Sequence, residues 1–581
     1  MKTVSQPAAY PAKPTGIARW MPGVASLRSY ERAWLPKDLI AGLVLSALLV
    51  PQGMAYAELA GLPPITGLYT TVMCLVAYAL FGPSPFLVLG PDSSLGPMIA
   101  AAIIPLSAGS EPQAIALASM LAILVGLICF TAGLAKLGFV ADLLSRPVRV
   151  GYMAGLAITI VVGQLPKLFG FSVDASGLFN ELVAFWQNLD STNVWALAIG
   201  LVDLVLILEL KRRKSRIPGV LAAVIVSILA VSLFDLTAQG VNVVGSLPQG
   251  FPRPALPAFD WAALPILLAT AMGMSLVAIG DTISTSVGFA ARRGYTVDSN
   301  QELIGIGSAN LLASLFQGFP VSTSGSRTAV AAQNGAKTQV TGLVGAGAIL
   351  LMLVLAPGLL RNLPQPTLAA VVIAASLSLA DLAGMRRLWR QRRSDFALAM
   401  TAFLGVALLG VLPGIALAVV LSILDVFNRA WRPYQAVLGR VTGIPGYHDT
   451  TVHPDAEHLP GLVIYRFDSP LIFANATTFR DAVFRLAGTE PAPTWILVAA
   501  EPITDIDTTA ADMLEDLDRR LNTAGVSLVF AELKTPVRRK VERYELTGVI
   551  DPAHFFPTVT DAVHAYQERT GATWQPPPGS G

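Results

Sequence analysis

Leu89-Gly90-Pro91-Asp92-Ser93-Ser94 and Phe319-Pro320-Val321-Ser322-Thr323-Ser324-Gly325-Ser326, the latter running into Arg327, decide how this chain is read. Each opens an apolar piece, 89–105 and 322–335, that is too short or too polar to cross a bilayer alone; crossing takes about 20 apolar residues. Glycine, proline and serine at the head leave hydroxyls and backbone amides clustered at a helix start, which attracts anions without needing a lysine. Around these pieces the residues from Asp38 to Arg432 cut into full-length spans at 38–60, 65–82, 112–135, 149–169, 193–210, 216–235, 262–288, 300–317, 338–360, 366–385, 395–411 and 413–430. With the two short pieces, fourteen transmembrane segments are expected. The short ones are third and tenth, seven apart, which is the spacing of two seven-segment inverted repeats. Transporters of that design hold substrate where paired broken helices meet near the midplane. The competing reading makes each Pro/Gly cluster a kink in an ordinary helix.

Composition agrees with a membrane chain. Of 581 residues 53% are hydrophobic and 13% charged, and the mean hydropathy is +0.60. Soluble domains carry about 25% charged residues, so most of this chain does not face water. The net charge of +2 gives no sign of a nucleic-acid partner; the expected surroundings are the lipid bilayer. Sixteen Lys and Arg fall in loops on one side of the expected topology. Three, Lys167, Arg253 and Arg361, fall on the other. By the positive-inside bias both termini are expected to be cytoplasmic, and the expected membrane is the inner (plasma) membrane. All five histidines lie after residue 447, and Cys74 and Cys129 sit in apolar runs. Neither a histidine relay within the membrane nor a metal site is expected, and no cofactor is implied.

Residues 1–37 are basic and proline-containing without the apolar stretch of a signal peptide, and read as a cytoplasmic tail. The transport domain is expected over 38–432. Beyond it, 434–575 alternates strand-like runs (461–467, 495–500, 526–530) with helical ones (475–487, 508–523, 535–545), the pattern of a small α/β domain. Residues 576–581 read as a disordered tail.

Several polar residues in apolar surroundings call for chemistry. Asp92, Ser93 and Ser94 head the third segment; as alternatives they cap their own helix or face an anion. A carboxylate facing an anion repels it and invites proton coupling. Arg327 in the tenth segment is costly in a membrane and functional by default, and its planar fork suits oxyanions. The alternative is that it neutralises Asp281. Asp281 and Thr285 lie at i, i+4, a carboxylate and a hydroxyl suited to Na⁺ or a proton. In the first segment Pro51-Gln52-Gly53 interrupts the helix, with Gln52 and Tyr56 on one face.

Pro51-Gln-Gly-Met-Ala-Tyr-Ala57 with Gly61-Leu-Pro-Pro-Ile-Thr-Gly-Leu-Tyr69 resembles the signature of the sulfate permease (SulP) family. Asn300-Gln-Glu-Leu-Ile304, Gly318-Phe-Pro-Val321 and Ser326-Arg-Thr-Ala-Val330 resemble its second-half motifs, and Asp505-Ile-Asp-Thr-Thr-Ala510 resembles a STAS domain. The resemblance covers roughly 30–570. It implies an α-helical anion transporter of seven-plus-seven inverted repeats, with core and gate domains like those of uracil permeases moving as an elevator. A homodimer and a cytoplasmic α/β STAS domain are also implied, and no enzyme. Carried over by residue, substrate would meet Gln52, Tyr56, Asp92, Ser93, Ser94, Gly325, Ser326 and Arg327. A coupling ion, H⁺ or Na⁺, would meet Asp281, Thr285, Thr323 and Ser324. Many members have a small apolar run where this chain has Asp92-Ser93-Ser94, and glutamate where Asp281 stands. The polar third segment points to an oxyanion with several acceptors: sulfate first, then bicarbonate or a fumarate-type dicarboxylate. Gly325, lacking a hydroxyl, favours protons over sodium. Thr508 and Thr509 occupy the turn that carries a phosphorylated serine in related domains, and read as helix caps or as regulatory sites. A non-transporting membrane scaffold signalling through the STAS domain is the other class, and it leaves Asp281 and Arg327 without a task.

Overall fold

The computed structural model describes residues 20–139, 145–173, 175, 177–213, 218–250, 253–257 and 260–576. The expected leading tail up to residue 19, the basic Lys214 and Arg216, and the end beyond residue 576 lie outside them. The chain divides into two compact units, Met1–Ser422 and Ile423–Gly581.

In the first unit the apolar runs form helices in the expected order. They are α1 (Pro22–Arg28), α2 (Leu35–Leu59), α3 (Pro64–Phe81), then strand β1 (Leu89–Gly90) and α4 (Gly96–Ser107), α5 (Glu111–Leu134), α6 (Arg146–Leu168), α7 (Leu178–Gln187), α8 (Val194–Arg212) and α9 (Gly219–Leu233). After these come α10 (Leu264–Arg293), α11 (Ser299–Ser314), strand β2 (Ser322–Thr323), α12 (Gly325–Gln333), α13 (Val340–Leu355), α14 (Gln365–Ser376), α15 (Leu382–Gln391), α16 (Arg393–Leu409) and α17 (Val411–Trp431), within which the division between the units falls. The stretches 32–59, 64–81, 111–134, 146–168 and 264–293 are long and apolar enough to cross a membrane by length and composition alone.

The short apolar pieces open as strands, not as helix. β1 and β2 pair antiparallel, Leu89 with Thr323 and Gly90 with Ser322. The pairing satisfies backbone groups that a broken helix would leave bare in an apolar interior, and it sets the starts of α4 and α12 beside each other. A second difference concerns 366–385, read as one span. Asp381 ends that run by capping a new helix, accepting from the Gly384 amide at 2.7 Å, so α14 and α15 are separate. Two helices lie outside the expected spans: α7, in the connection between α6 and α8, and α1, within the stretch 1–37 read as a tail.

Two helix groups emerge. Helices α2–α5 and α10–α13 pack together; α6, α8, α9, α14 and α16 form the other, and the groups meet where α2 lies against α14 and α9. Helices α2 and α3 touch backbone to backbone: a Cβ on Gly67 would stand 1.9 Å from the Gly53 carbonyl oxygen, so only glycine fits there. Asp38, buried in the first turn of α2, ties that helix to the start of α13. It accepts from the amides of Lys337 (2.7 Å) and Thr338 (3.2 Å) and from the hydroxyls of Thr338 (2.8 Å) and Thr341 (2.9 Å). A carboxylate placed there satisfies helix-start donors and suits the helix dipole.

The second unit is an α/β fold. Strands β3 (Gln435–Arg440), β4 (Tyr447–Asp449), β5 (Leu462–Phe467), β6 (Trp495–Ala499), β7 (Ser527–Ala531) and β8 (Phe555–Phe556) form one sheet in the order β4-β3-β5-β6-β7-β8. From β5 to β8 the strands run parallel, and β3 is antiparallel to both neighbours. Helices α18 (Ala476–Ala487), α19 (Thr508–Thr523), α20 (Thr535–Arg543) and α21 (Val559–Thr570) complete it. Strands β5–β7 and helices α18–α20 fall where the alternating apolar pattern puts them. One core contains Phe467, Phe479, Ile496 and Leu517, and another contains Leu497, Val529 and Val563.

Candidate functional site

The crossing of β1 and β2 gathers most of the singled-out side chains. Arg327, in the first turn of α12, is 1% exposed. Its Nη2 reaches the Gly90 carbonyl oxygen at 3.5 Å and Asp92 Oδ1 at 3.4 Å, while Nε and Nη1 are buried without a hydrogen-bond partner. Guanidinium donors so left are costly, and they mark where an acceptor would be stabilised. Gly90 makes the room: a Cβ there would lie 2.7 Å from Nη1.

Asp92 faces this arginine across the strand pair, so the ion pair joins the two short segments. Its Oδ2 accepts from the Ser94 amide (3.0 Å) and hydroxyl (2.8 Å), closing a local turn before α4. The Ser94 hydroxyl is therefore already engaged. Ser93 is buried beside the Tyr56 hydroxyl, and Asp92 and Arg327 are near enough to act on that phenol electrostatically. Gln52, one turn before Tyr56 on α2, is buried with its Oε1 unpartnered.

On the α12 side Ser324 is the N-cap, its Oγ accepting from the Arg327 amide at 3.5 Å and lying 3.0 Å from the Ser326 Oγ. The Ser324 amide in turn donates to the Val88 carbonyl at 3.2 Å. Ser326 and Gly325 are both exposed. A Cβ on Gly325 would meet Thr285 at 3.9 Å, so α10 passes directly beside the head of α12. Asp281, one turn earlier on α10, feels Asp92 and Arg149 and has the Ser94 side chain within reach. The alternative pairing of Arg327 with Asp281 is not the one formed; Asp92 takes that place. Thr323 is buried and shares a 2.9 Å hydrogen bond with Thr282 Oγ1.

Several contributors were invisible in the sequence reading. Thr282 fixes β2 to α10. Thr328 accepts from the Val88 amide at 3.0 Å. Arg149, at the start of the expected span 149–169, sits in the first turn of α6 within electrostatic range of Asp281. The chain leading into β1 is clamped as well: Gln339 donates to the Ser84 and Leu87 carbonyls at 2.8 and 3.0 Å. Fully buried Glu302 accepts from the hydroxyls of Tyr78 (2.6 Å) and Ser84. Within Asn300-Gln-Glu302 it is the glutamate that makes this clamp.

In the α/β unit Thr508 and Thr509 are exposed at the start of α19. The capping expected of them is done by Asp507, which accepts from the amides of Ala510 (2.8 Å) and Phe473 (2.7 Å). Its carboxylate reaches two donors at once, whereas a threonine at the first or second helical position cannot fold back on that turn. Among the described residues no cluster of His, Cys, Asp and Glu could hold a metal ion.

Comparison with known proteins agrees with this geometry. The model of the sulfate permease family matches residues 35–402, and that of the STAS domain matches 453–562. A probable sulfate transporter of Mycobacterium tuberculosis strain H37Rv is 40% identical over 553 residues, 95% of this chain and 99% of that protein. High affinity sulfate transporter 2 of Stylosanthes hamata is 30% identical over 94% of this chain and 86% of its own length. Among solved structures, the murine solute carrier 26 family member A9 anion transporter in its inward-facing state superposes with a TM-score of 0.88 at 24% identity, covering 97% of each chain. The transmembrane domain of a cyanobacterium bicarbonate transporter gives 0.60 at 22% identity over 68% of this chain and 98% of that one.

Proposed function

This chain belongs to the sulfate permease family, a family of transporters and not of enzymes, and carries a STAS domain; we propose that it is a secondary active transporter of a small oxyanion, sulfate first. The observation that carries this reading is Arg327: buried, placed at the strand crossing, with two guanidinium nitrogens unpartnered. A tetrahedral dianion offers acceptors on several faces and suits a planar fork. The names of the curated relatives favour sulfate over the bicarbonate carried by the cyanobacterial neighbour.

In this mechanism the oxyanion sits against Arg327 and the heads of α4 and α12, flanked by Gln52, Tyr56, Ser93, Ser94, Gly325 and Ser326. Asp92 competes with it for Arg327. Protonating Asp92 withdraws that competitor, so anion and proton enter together, and loss of the proton on the inner side expels the anion. Asp281, Thr285 and Ser324 line the adjoining position for the coupling cation. Thr323 serves it through its carbonyl, its hydroxyl being held by Thr282. Gly325, which brings no hydroxyl to that position, favours H⁺ as the coupling ion.

The transport domain spans 38–432 as fourteen segments in two inverted repeats of seven. The helix group containing α2–α5 and α10–α13 is its moving core, and the other group its gate. The STAS domain over 434–575 and both termini are cytoplasmic at the inner (plasma) membrane, the protein is a homodimer, and Thr508 and Thr509 are exposed for modification. Radiolabelled sulfate uptake into proteoliposomes under an inward pH gradient or an inward Na⁺ gradient tests the reading, with bicarbonate and fumarate as competitors. Proton-driven sulfate uptake is expected. Counterflow of bicarbonate or fumarate without sulfate uptake would change the substrate, and silence with every anion would remove transport altogether.

A further inference from the structure

We propose that α15 and its flanks form a docking surface for the anionic headgroups of phospholipids at the membrane surface. Helix α15 joins two apolar helices, α14 and α16, and is two-faced. Gly384 and Leu388 are buried, and Leu388 packs with Val150 of α6 and Ala399 of α16, Met385 and Phe396 closing the contact. Outward, Arg386, Arg387 and Arg390 are exposed, and none has a carboxylate partner among the described residues. The nearby acids are engaged: Asp381 caps α15, and Asp395 pairs with Arg392 at 3.6 Å.

Two further features place these cations at a bilayer and not in open water. Trp389 is 54% exposed and Leu382 75%. The Arg393 guanidinium lies over the Trp389 ring, 5.7 Å from its centroid. A tryptophan beside a row of arginines is what an interfacial helix presents to headgroups and upper acyl chains. A second element adds charge: Lys211, at the end of α8, donates to the Ser378 hydroxyl in the α14–α15 connection at 2.5 Å. Lys211 and its neighbour Arg212 therefore flank the start of α15. Clusters of four to eight such cations next to membrane helices attract anionic lipids. Arg386 and Arg390 stand roughly 6 Å apart along the axis, at 1.5 Å per residue. That is a row for successive headgroups. It is not a pocket closing on one phosphate, and none of its cations is buried.

The full-length chain in neutral detergent tests this by native mass spectrometry and thermal melting. The added probes are phosphatidylglycerol, phosphatidylcholine or inorganic phosphate. Phosphatidylglycerol is expected to remain bound and to raise the melting temperature; phosphatidylcholine and phosphate are not. The triple change Arg386→Gln, Arg387→Gln, Arg390→Gln should weaken the apparent phosphatidylglycerol affinity on the order of a hundredfold, each cation near a headgroup giving about fivefold. Sulfate binding should be unchanged. The matching triple change to lysine should keep most of the lipid response, and high salt should weaken it in the unmodified chain. Equal retention of both lipids, an unaltered response in the glutamine variant, indifference to salt, or reproduction of the effect by phosphate alone would each overturn the proposal.

Discussion

Asp92 and Arg327 stand 235 residues apart in sequence, yet their Oδ1 and Nη2 atoms lie 3.4 Å apart across a two-residue strand pair. Their side chains are 13% and 1% exposed. A buried pair of this kind is weak evidence for stability, because desolvation offsets much of the attraction. Removing one partner is a different matter. It leaves an uncompensated charge, at about 3–5 kcal/mol. The pair therefore makes more sense as a device that holds the arginine ready than as a staple.

From this follows a contrast between two substitutions. Arg327→Ala should abolish sulfate uptake, a loss on the order of a hundredfold or more, since the anion loses its charged donor and Asp92 is stranded. Asp92→Asn should instead keep anion exchange while uptake ceases to respond to an imposed pH gradient. Proteoliposome flux at fixed sulfate, with and without the gradient, separates the two. Proton-driven uptake persisting in the asparagine variant would remove Asp92 from the coupling step.

The glycines at the crossing give a second contrast. In Gly90→Ala the new methyl would stand 2.7 Å from Arg327 Nη1, so the buried guanidinium end has to shift. Half-saturating sulfate should rise by roughly tenfold or more, as expected when an oriented donor is displaced. In Gly325→Ala the methyl meets only Thr285, at an ordinary 3.9 Å. Transport should stay within about threefold of the unmodified chain, typical of a change without a named destabilising mechanism. Side-by-side flux kinetics decide this, and equal defects would show that the β1 approach is not what fixes the arginine.

Asp38 bears on stability and not on transport chemistry. Asp38→Ala leaves the Lys337 and Thr338 amides without their acceptor at the start of α13. Each buried unsatisfied group costs about 1–3 kcal/mol, so a clear fall in the melting temperature of the detergent-solubilised chain is expected. Asp38→Asn keeps one acceptor oxygen and should fall in between. If both variants melt like the unmodified chain, this carboxylate does not hold α2 to α13.

Much of this was legible because it is local. The two short interrupted pieces announced themselves through Gly90-Pro91 and Ser322–Ser326, where proline, glycine and hydroxyls interrupt apolar runs. Strands β5, β6 and β7 announced themselves as short continuous apolar runs separated by helical patterns. Pairings between distant residues were not legible. Nothing in the spacing tells Arg327 to choose Asp92 over Asp281, because that choice depends on the antiparallel register of β1 with β2. Thr282, Glu302 and Gln339 look like ordinary polar helix residues until their partners arrive from elsewhere in the chain. Strands β3 and β4 were missed for a simpler reason: Gln435–Arg440 mixes polar residues and glycine at a sheet margin, and Tyr447–Asp449 is three residues long.

The α/β unit supplies a prediction about pH. Lys540 donates to Asp505 Oδ1 at 2.5 Å, and this hydrogen bond holds the Asp505 carboxyl below its usual 3.8 and raises Lys540 above its usual 10.5. A lowered carboxylate contributes stability that is fully present above the unfolded value and is lost as pH falls through the folded one. A raised lysine contributes stability that is present below 10.5 and is lost as pH rises through its folded value. The tie between the Asp505–Asp507 turn and α20 should therefore hold across neutral pH and loosen at both extremes. Both side chains are well exposed, so the effect is modest and screened by salt. Hydrogen exchange of the full-length chain should show the Asp507 amide, which donates to the Leu471 carbonyl, losing protection below about pH 3.8. Lys540→Met should reduce that protection at neutral pH and flatten its acid dependence, while sulfate binding to the membrane unit stays unchanged. Protection that ignores both acid and the substitution would show that Asp505 and Lys540 are neighbours without a mechanical link.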